Sequence, residues 1–99
     1  MNITKQIDGT TLHITLNGRL DTVTSPAFVT EIDAIPETTT ELVLEFAKVS
    51  YISSAGLRAV LTAQKLMNKQ GSMKLLHVCP AVKEVFDLTG FIDILTLEE

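Results

Sequence analysis

An α/β fold, with a mixed sheet that is parallel in part and packed against helices, follows from three features of the sequence. The run Thr11-Leu12-His13-Ile14-Thr15-Leu16 alternates polar and apolar residues, which is the period of a half-buried strand. Two further apolar runs, Glu41 to Phe46 and Met73 to Cys79, also read as strands. Between and after them lie segments with helical spacing, opened by Ser25-Pro26, by the Ser53-Ser54 pair and by Pro80. A hairpin followed by alternating helices and strands is built as a partly parallel sheet with helical crossovers.

The elements follow in order. Asn2 to Lys5 is expected to pair with the Thr11–Leu16 strand across an Asp8-Gly9 turn. Asn17-Gly18 carries turn chemistry and is expected to end that strand. Ser25 suits an N-cap and Pro26 a first helical position. Phe28, Ile32 and Ile35 follow at helical spacing, and Pro36 stops the element. Glu41 to Phe46 forms the next strand, with Lys48 to Ser54 as a connection.

From Ala55 to about Asn68 the pattern is helical. Leu57, Val60, Leu61 and Met67 fall on one side, and Arg58, Thr62, Lys65 and Lys69 form the opposite stripe. Gly71 is expected to end the helix in the usual C-terminal manner. Met73 to Cys79 reads as a strand buried on both faces. Pro80 starts a helix with Val82, Val85 and Phe86 inward, Gly90 ends it, and Ile92 to Leu97 reads as a last strand.

Ninety-nine residues suit one domain spanning residues 1–99, since single cores hold on the order of 50–200 residues. The chain has 8 Lys+Arg against 12 Asp+Glu, a formal net charge of −4. That balance argues against general nucleic-acid binding, which needs a basic surface. No apolar run approaches the roughly 20 residues of a membrane span, and Met1 to Gly9 lacks a signal-peptide core. A cytoplasmic location is expected. The single Cys79 forms no internal disulfide and leaves no cysteine metal cluster. His13 and His77 stand too far apart in sequence to suggest a metal site; His13 is expected to be exposed and His77 packed. No glycine loop suited to phosphates occurs, so no cofactor is assigned.

Charge is segregated along the chain. From Asp21 to Glu45 every charged residue is acidic, and from Lys48 to Lys83 every one is basic. Such a division can steer a charged partner. Most of these residues read simply as solvated helix faces and strand ends. Arg58 is the exception, because it follows the most informative stretch.

That stretch is Val49-Ser50-Tyr51-Ile52-Ser53-Ser54-Ala55-Gly56-Leu57-Arg58. Two serines stand where a helix begins. The first amides of a helix lack partners, and a Ser hydroxyl or a phosphate can accept from them. Gly56 would allow close approach of another backbone or a ligand. Taken by themselves, Ser53 or Ser54 need be no more than an N-cap. A serine hydrolase using Ser54 with His77 as base would also need an orienting acid and an oxyanion hole, and the stretch lacks a nucleophile-elbow pattern.

Three blocks together, Gly18-Arg19-Leu20-Asp21, Val49 to Leu57, and Pro80 to Phe91, resemble the bacterial anti-sigma-factor antagonists, the single-domain STAS proteins. They occur in that family's order and spacing. The resemblance implies a STAS-like fold and a non-enzymatic regulator. Such a regulator binds an anti-sigma factor that is also a serine kinase, and thereby releases a sigma factor. Phosphorylation of a serine just before a helix breaks the complex, and a phosphatase restores it. Laid on this chain, the acceptor is Ser54, and Asp21 matches the acidic residue near the partner-binding face. Partner contacts are expected at Asp21, Ser53, Ser54, Gly56 and Arg58. The site departs from the family pattern at two positions: Ser53 stands where the family has Asp, and Ala55 where it has a second hydroxyl residue. Ser53 is therefore the alternative acceptor. Arg58 replaces a residue that is often small. A second role known for the fold is a regulatory subunit that docks the ATPase of an ABC-type lipid transport complex.

Overall fold

The computed structural model describes residues 1–99. Five strands form one sheet in the order β1-β2-β3-β4-β5: β1 (Asn2–Asp8), β2 (Thr11–Leu20), β3 (Glu41–Ile52), β4 (Ser72–Leu76) and β5 (Leu97–Glu98). β1 is antiparallel to β2, and every later neighbour is parallel. The crossovers are α1 (Ser25–Asp33), α2 (Ser54–Gln70) and α3 (Pro80–Thr89), with a single 3₁₀ turn at Phe91–Asp93. This is the mixed, helix-packed α/β sheet expected from the strand and helix patterns.

Because each parallel strand is added beside the previous one in the same direction, crossovers of one hand place all helices on one face. Alternation along the strands agrees. Leu12, Ile14 and Leu16 of β2, Leu42, Leu44 and Phe46 of β3, and Met73 and Leu75 of β4 join one core with Phe28, Ile32, Val60, Met67, Val82 and Phe86 of the helices. Full burial of side chains such as Phe28, Phe46 and Phe86 stabilises the fold by about 1.5–3 kcal/mol each. The opposite face carries Gln6, Asp8, His13, Thr15, Val43, Glu45 and Leu76 and has no helix over it. β4 is thus covered on one face only, with Lys74 and Leu76 half-buried, not a strand packed on both sides.

Several boundaries differ from the sequence expectation. The hairpin turn is Gly9-Thr10, with Asp8 paired to Thr11 and Gly9 at φ 63°. Asn17-Gly18 does not end β2. The strand runs on to Leu20 through irregularities between Thr15 and Asn17 and between Gly18 and Arg19, with Gly18 at φ 126°. Its partner β3 likewise continues through Lys48 to Ile52 instead of ending at Phe46. Thr15 pairs with Glu45 but Asn17 with Lys48, so β3 holds one extra residue there, a bulge that breaks the period-two pattern. The Glu45 carboxylate accepts the Ala47 N–H at 3.0 Å within that bulge.

At the start of α1 the cap position is Thr24, not Ser25; Ser25 is turned inward and buried, and Pro26 stands in the first turn. α2 extends to Gln70. Its terminal Gly71 is extended at φ 171°, not left-handed. Glycine is required there by space, since a Cβ would overlap the Thr40 carbonyl. Gly90 does adopt the left-handed cap, at φ 79°. The segment after it turns (Leu95 N–H donates to Phe91 O at 3.0 Å), so β5 is only Leu97–Glu98 and not Ile92 to Leu97. No helix is long and apolar enough to cross a membrane.

Candidate functional site

The extensions of β2 and β3 beyond their irregularities position the site. Leu20 pairs with Ile52, and both are buried. The next residue of each strand, Asp21 and Ser53, therefore begins a connection to a helix at the same end of the sheet. The Ser53 N–H donates to Leu20 O at 3.0 Å, tying the two connections together.

Asp21 organises the first connection. Its Oδ1 accepts the N–H groups of Val23 at 3.0 Å and Thr24 at 3.1 Å. Its carbonyl accepts the Ser25 N–H at 2.8 Å. The Thr24 hydroxyl in turn accepts the Asp21 N–H at 2.9 Å and donates to Arg19 O at 2.6 Å. The amide of Thr24 foremost, with the Thr24 hydroxyl, the Val23 amide and the Arg19 charge, holds the Asp21 carboxyl below the ordinary aspartate value, against an opposing desolvation effect. This tight turn projects Val23, 86% exposed, away from the body of the protein.

Arg19 and Tyr51 are direct neighbours across β2 and β3. Since Leu20 and Ile52 point to the core, these two point to the uncovered face. The Arg19 guanidinium lies 4.2 Å from the Tyr51 ring centroid, and its Nε lies 3.7 Å from Asp21 Oδ2. A cation held over an aromatic face is restrained even where solvent reaches it.

The two serines have different environments. Ser53 is the N-cap of α2, in extended backbone, and its Oγ accepts the Gly56 N–H at 3.4 Å. Ser54 is the first helical residue and is exposed. Gly56 is buried beneath them: a Cβ there would come within 2.5 Å of Leu20 O and 2.8 Å of Ile52 Cγ1. The close approach it permits is by its own chain's backbone, which seats α2 on the ends of β2 and β3. Arg58 is exposed, one helical turn beyond Ser54, and takes part in none of the ion pairs.

The structure thus brings Asp21, Ser53 and Ser54 to one end of the sheet, puts Arg58 on the adjoining helix face, and places Gly56 inside. The hydrolase pairing is not formed. His77 is exposed, not packed; it stands after β4 at φ 57° and its Nδ1 lies 2.9 Å from Glu45 Oε1. Cys79 occupies the cap position of α3, half-buried, with Sγ 3.5 Å from Val49 O. Arg19, Tyr51 and Val23 were not singled out from sequence. The proximity of Arg19 and Tyr51 depends on the register of strand segments lying beyond a bulge, and the signals available were the Gly18-Arg19-Leu20-Asp21 and Val49 to Leu57 blocks themselves.

Comparison with known proteins places these features in a family. A model described as STAS domain matches residues 2–99. BtrV of Bordetella bronchiseptica, whose name assigns it provisionally as an anti-sigma factor antagonist, is 46% identical over 54 residues. That match covers 54% of this chain and 47% of BtrV, so it spans about half the length of that relative. The anti-sigma-B factor antagonist of Bacillus subtilis is 28% identical over 87 residues, covering 87% of this chain and 80% of the relative. Among solved structures, the Bacillus anti-sigma factor antagonist SpoIIAA is similar in fold in both its unphosphorylated and phosphorylated forms. The TM-scores are 0.78 and 0.76 at 20% identity, over 99% of this chain and 88% and 92% of those chains.

Proposed function

The chain belongs to the STAS domain family, and on that premise we propose that it is an anti-sigma-factor antagonist switched by phosphorylation of Ser54. The observation that carries the proposal is the division of labour between the two serines. Ser53 is engaged as the cap of α2, while Ser54 offers an exposed hydroxyl at the same end of the sheet as the Asp21 turn. In its unmodified form this end docks an anti-sigma factor, which is also an ATP-dependent serine kinase, and a sigma factor is released. The contact surface comprises the Asp21–Thr24 turn, Ser54 and Arg58, with Ser53 and Gly56 holding α2 in place beneath it.

Phosphorylation adds about −1.5 to −2 charge and three acceptor oxygens in the middle of this surface. Against an acidic partner surface the added charge repels, and in a closed interface it must also be desolvated. Release then needs no change of fold. A phosphatase resets the switch. On this reading the protein works in the cytoplasm, performs no catalysis, binds no nucleic acid and carries no cofactor; ATP belongs to the kinase. Ser53 is the alternative acceptor, and its phosphorylation would place the charge on the α2 cap itself.

The test is capture of partners by the tagged protein from its native host, followed by mass spectrometry and phosphosite mapping. Recovery of a histidine-kinase-like serine kinase, with phosphate found on Ser54, is the expected result. Recovery of an ABC ATPase instead would replace this reading with docking to a lipid transport complex.

A further inference from the structure

We infer that Arg58 is the residue that receives the phosphate on Ser54, forming a phosphoserine–arginine pair along α2. This inference rests on Ser54 being the modified residue. Ser54 and Arg58 stand four residues apart in a continuous helix, so their side chains are neighbours on its surface. Both are exposed, and neither is drawn into the core. The order also suits the pair, since an anion placed four residues N-terminal to a cation is the favoured arrangement on a helix.

The surrounding charges leave Arg58 uncommitted. It enters no ion pair, and the first turn of α2 contains no acidic side chain to compete for it. The other guanidinium at this end of the sheet, Arg19, is already held over Tyr51 and beside Asp21. Lys65 and Lys69 share the exposed stripe of α2 but stand about two and three turns beyond Arg58. Arg58 is therefore the cation placed to make charge-assisted hydrogen bonds to a phosphate on Ser54, and its planar fork can engage two phosphate oxygens at once.

The consequence is a change in the phosphate itself. A neighbouring positive charge favours the dianion and lowers the second ionisation from its ordinary position near 6. The modified serine then keeps its full charge as the pH falls slightly below neutral. One guanidinium also folds the phosphate back along the helix, so the switched-off form presents a fixed ion pair in place of a mobile anion.

The experiment is a ³¹P NMR pH titration of the full chain carrying phosphoserine installed at position 54 during translation, with the same phosphoprotein as Arg58→Gln, Arg58→Lys and, as a control, Lys65→Gln. Arg58→Gln is expected to raise the titration midpoint by about 0.3 unit at low ionic strength. Arg58→Lys should recover part of that shift, Lys65→Gln should leave the midpoint unchanged, and added salt should narrow the gap between the parent and Arg58→Gln. Coincident midpoints for the parent and Arg58→Gln, or equal shifts for Arg58→Gln and Lys65→Gln, would overturn the inference. The phosphate is installed without any kinase, so failure here is distinct from failure of the antagonist reading, which shows in partner capture.

Discussion

The N–H of Ser53 donates to the carbonyl oxygen of Leu20 at 3.0 Å, joining the end of β2 to the cap of α2. That bond, with the Leu20–Ile52 pairing beside it, is why the Asp21 turn and the Ser54 hydroxyl share one surface. The link is backbone to backbone, so the surface survives side-chain changes at its rim and is sensitive to anything that lifts α2 from the strands.

Gly56→Ala is the sharpest way to lift it. The added methyl would meet Leu20 O at 2.5 Å, and that oxygen is backbone with little freedom to retreat. Alanine would gain about 1 kcal/mol of helix propensity over glycine, but overpacking of this kind costs about 1–3 kcal/mol. A net loss in urea-unfolding free energy is expected, together with weakened partner capture. A variant as stable as the parent would show that α2 can shift at no cost.

The two serines should separate in stability. Ser53→Ala removes the side-chain cap; loss of a cap costs about 0.5–2 kcal/mol, and the 3.4 Å bond to Gly56 N places this one at the low end. Ser54→Ala changes an exposed group with no cap role and should stay within about 0.5 kcal/mol of the parent. Parallel urea melts check this, and equal losses for both would contradict the assignment of Ser53 as the cap.

Asp21 makes a prediction about acid. Its carboxyl lies below the ordinary 3.8 in the folded chain, held there first by the Thr24 amide. A carboxyl depressed on folding stabilises the fold above its unfolded pKa, and that contribution is lost as the pH falls through the folded value. Asp21→Asn should therefore make stability less steeply dependent on pH in the region below about 4. A carboxyl titration by NMR should place the Asp21 midpoint below 3.8; a midpoint at or above 3.8 would contradict the turn geometry.

Much of the fold was legible because its signals are local. Alternation in Thr11–Leu16, the Pro26 and Pro80 helix starts and the apolar stripe of α2 each reside in a few adjacent residues. What was not legible depends on pairing. The bulge at Ala47 shifts the inward set from Leu42, Leu44 and Phe46 to Val49, a second irregularity opposite Gly18 and Arg19 shifts it again to Ile52, and together they hide the second half of β3. The stacking of Arg19 on Tyr51 depends on that hidden half. Asp21 already closes a turn, so the α1 cap falls at Thr24 and frees Ser25 to go inside. Gly71 is explained by Thr40, a residue 31 positions away, and not by its own φ. At the site, the motif named Ser53, Ser54 and Asp21, which lie at one end of the sheet, but only packing could show that Gly56 faces its own chain.

Charge on Ser54 is expected to dissociate the partner while the fold is retained. The direct measurement is the affinity of the captured anti-sigma factor for the parent, Ser54→Ala and Ser54→Asp proteins, each checked for an unchanged melt. An acidic residue in the first turn of a helix is itself favourable, so Ser54→Asp should remain folded. Equal affinity is expected for the parent and Ser54→Ala, with at least about tenfold weaker binding by Ser54→Asp, or roughly 1.4 kcal/mol. Equal affinity of the parent and Ser54→Asp would contradict it.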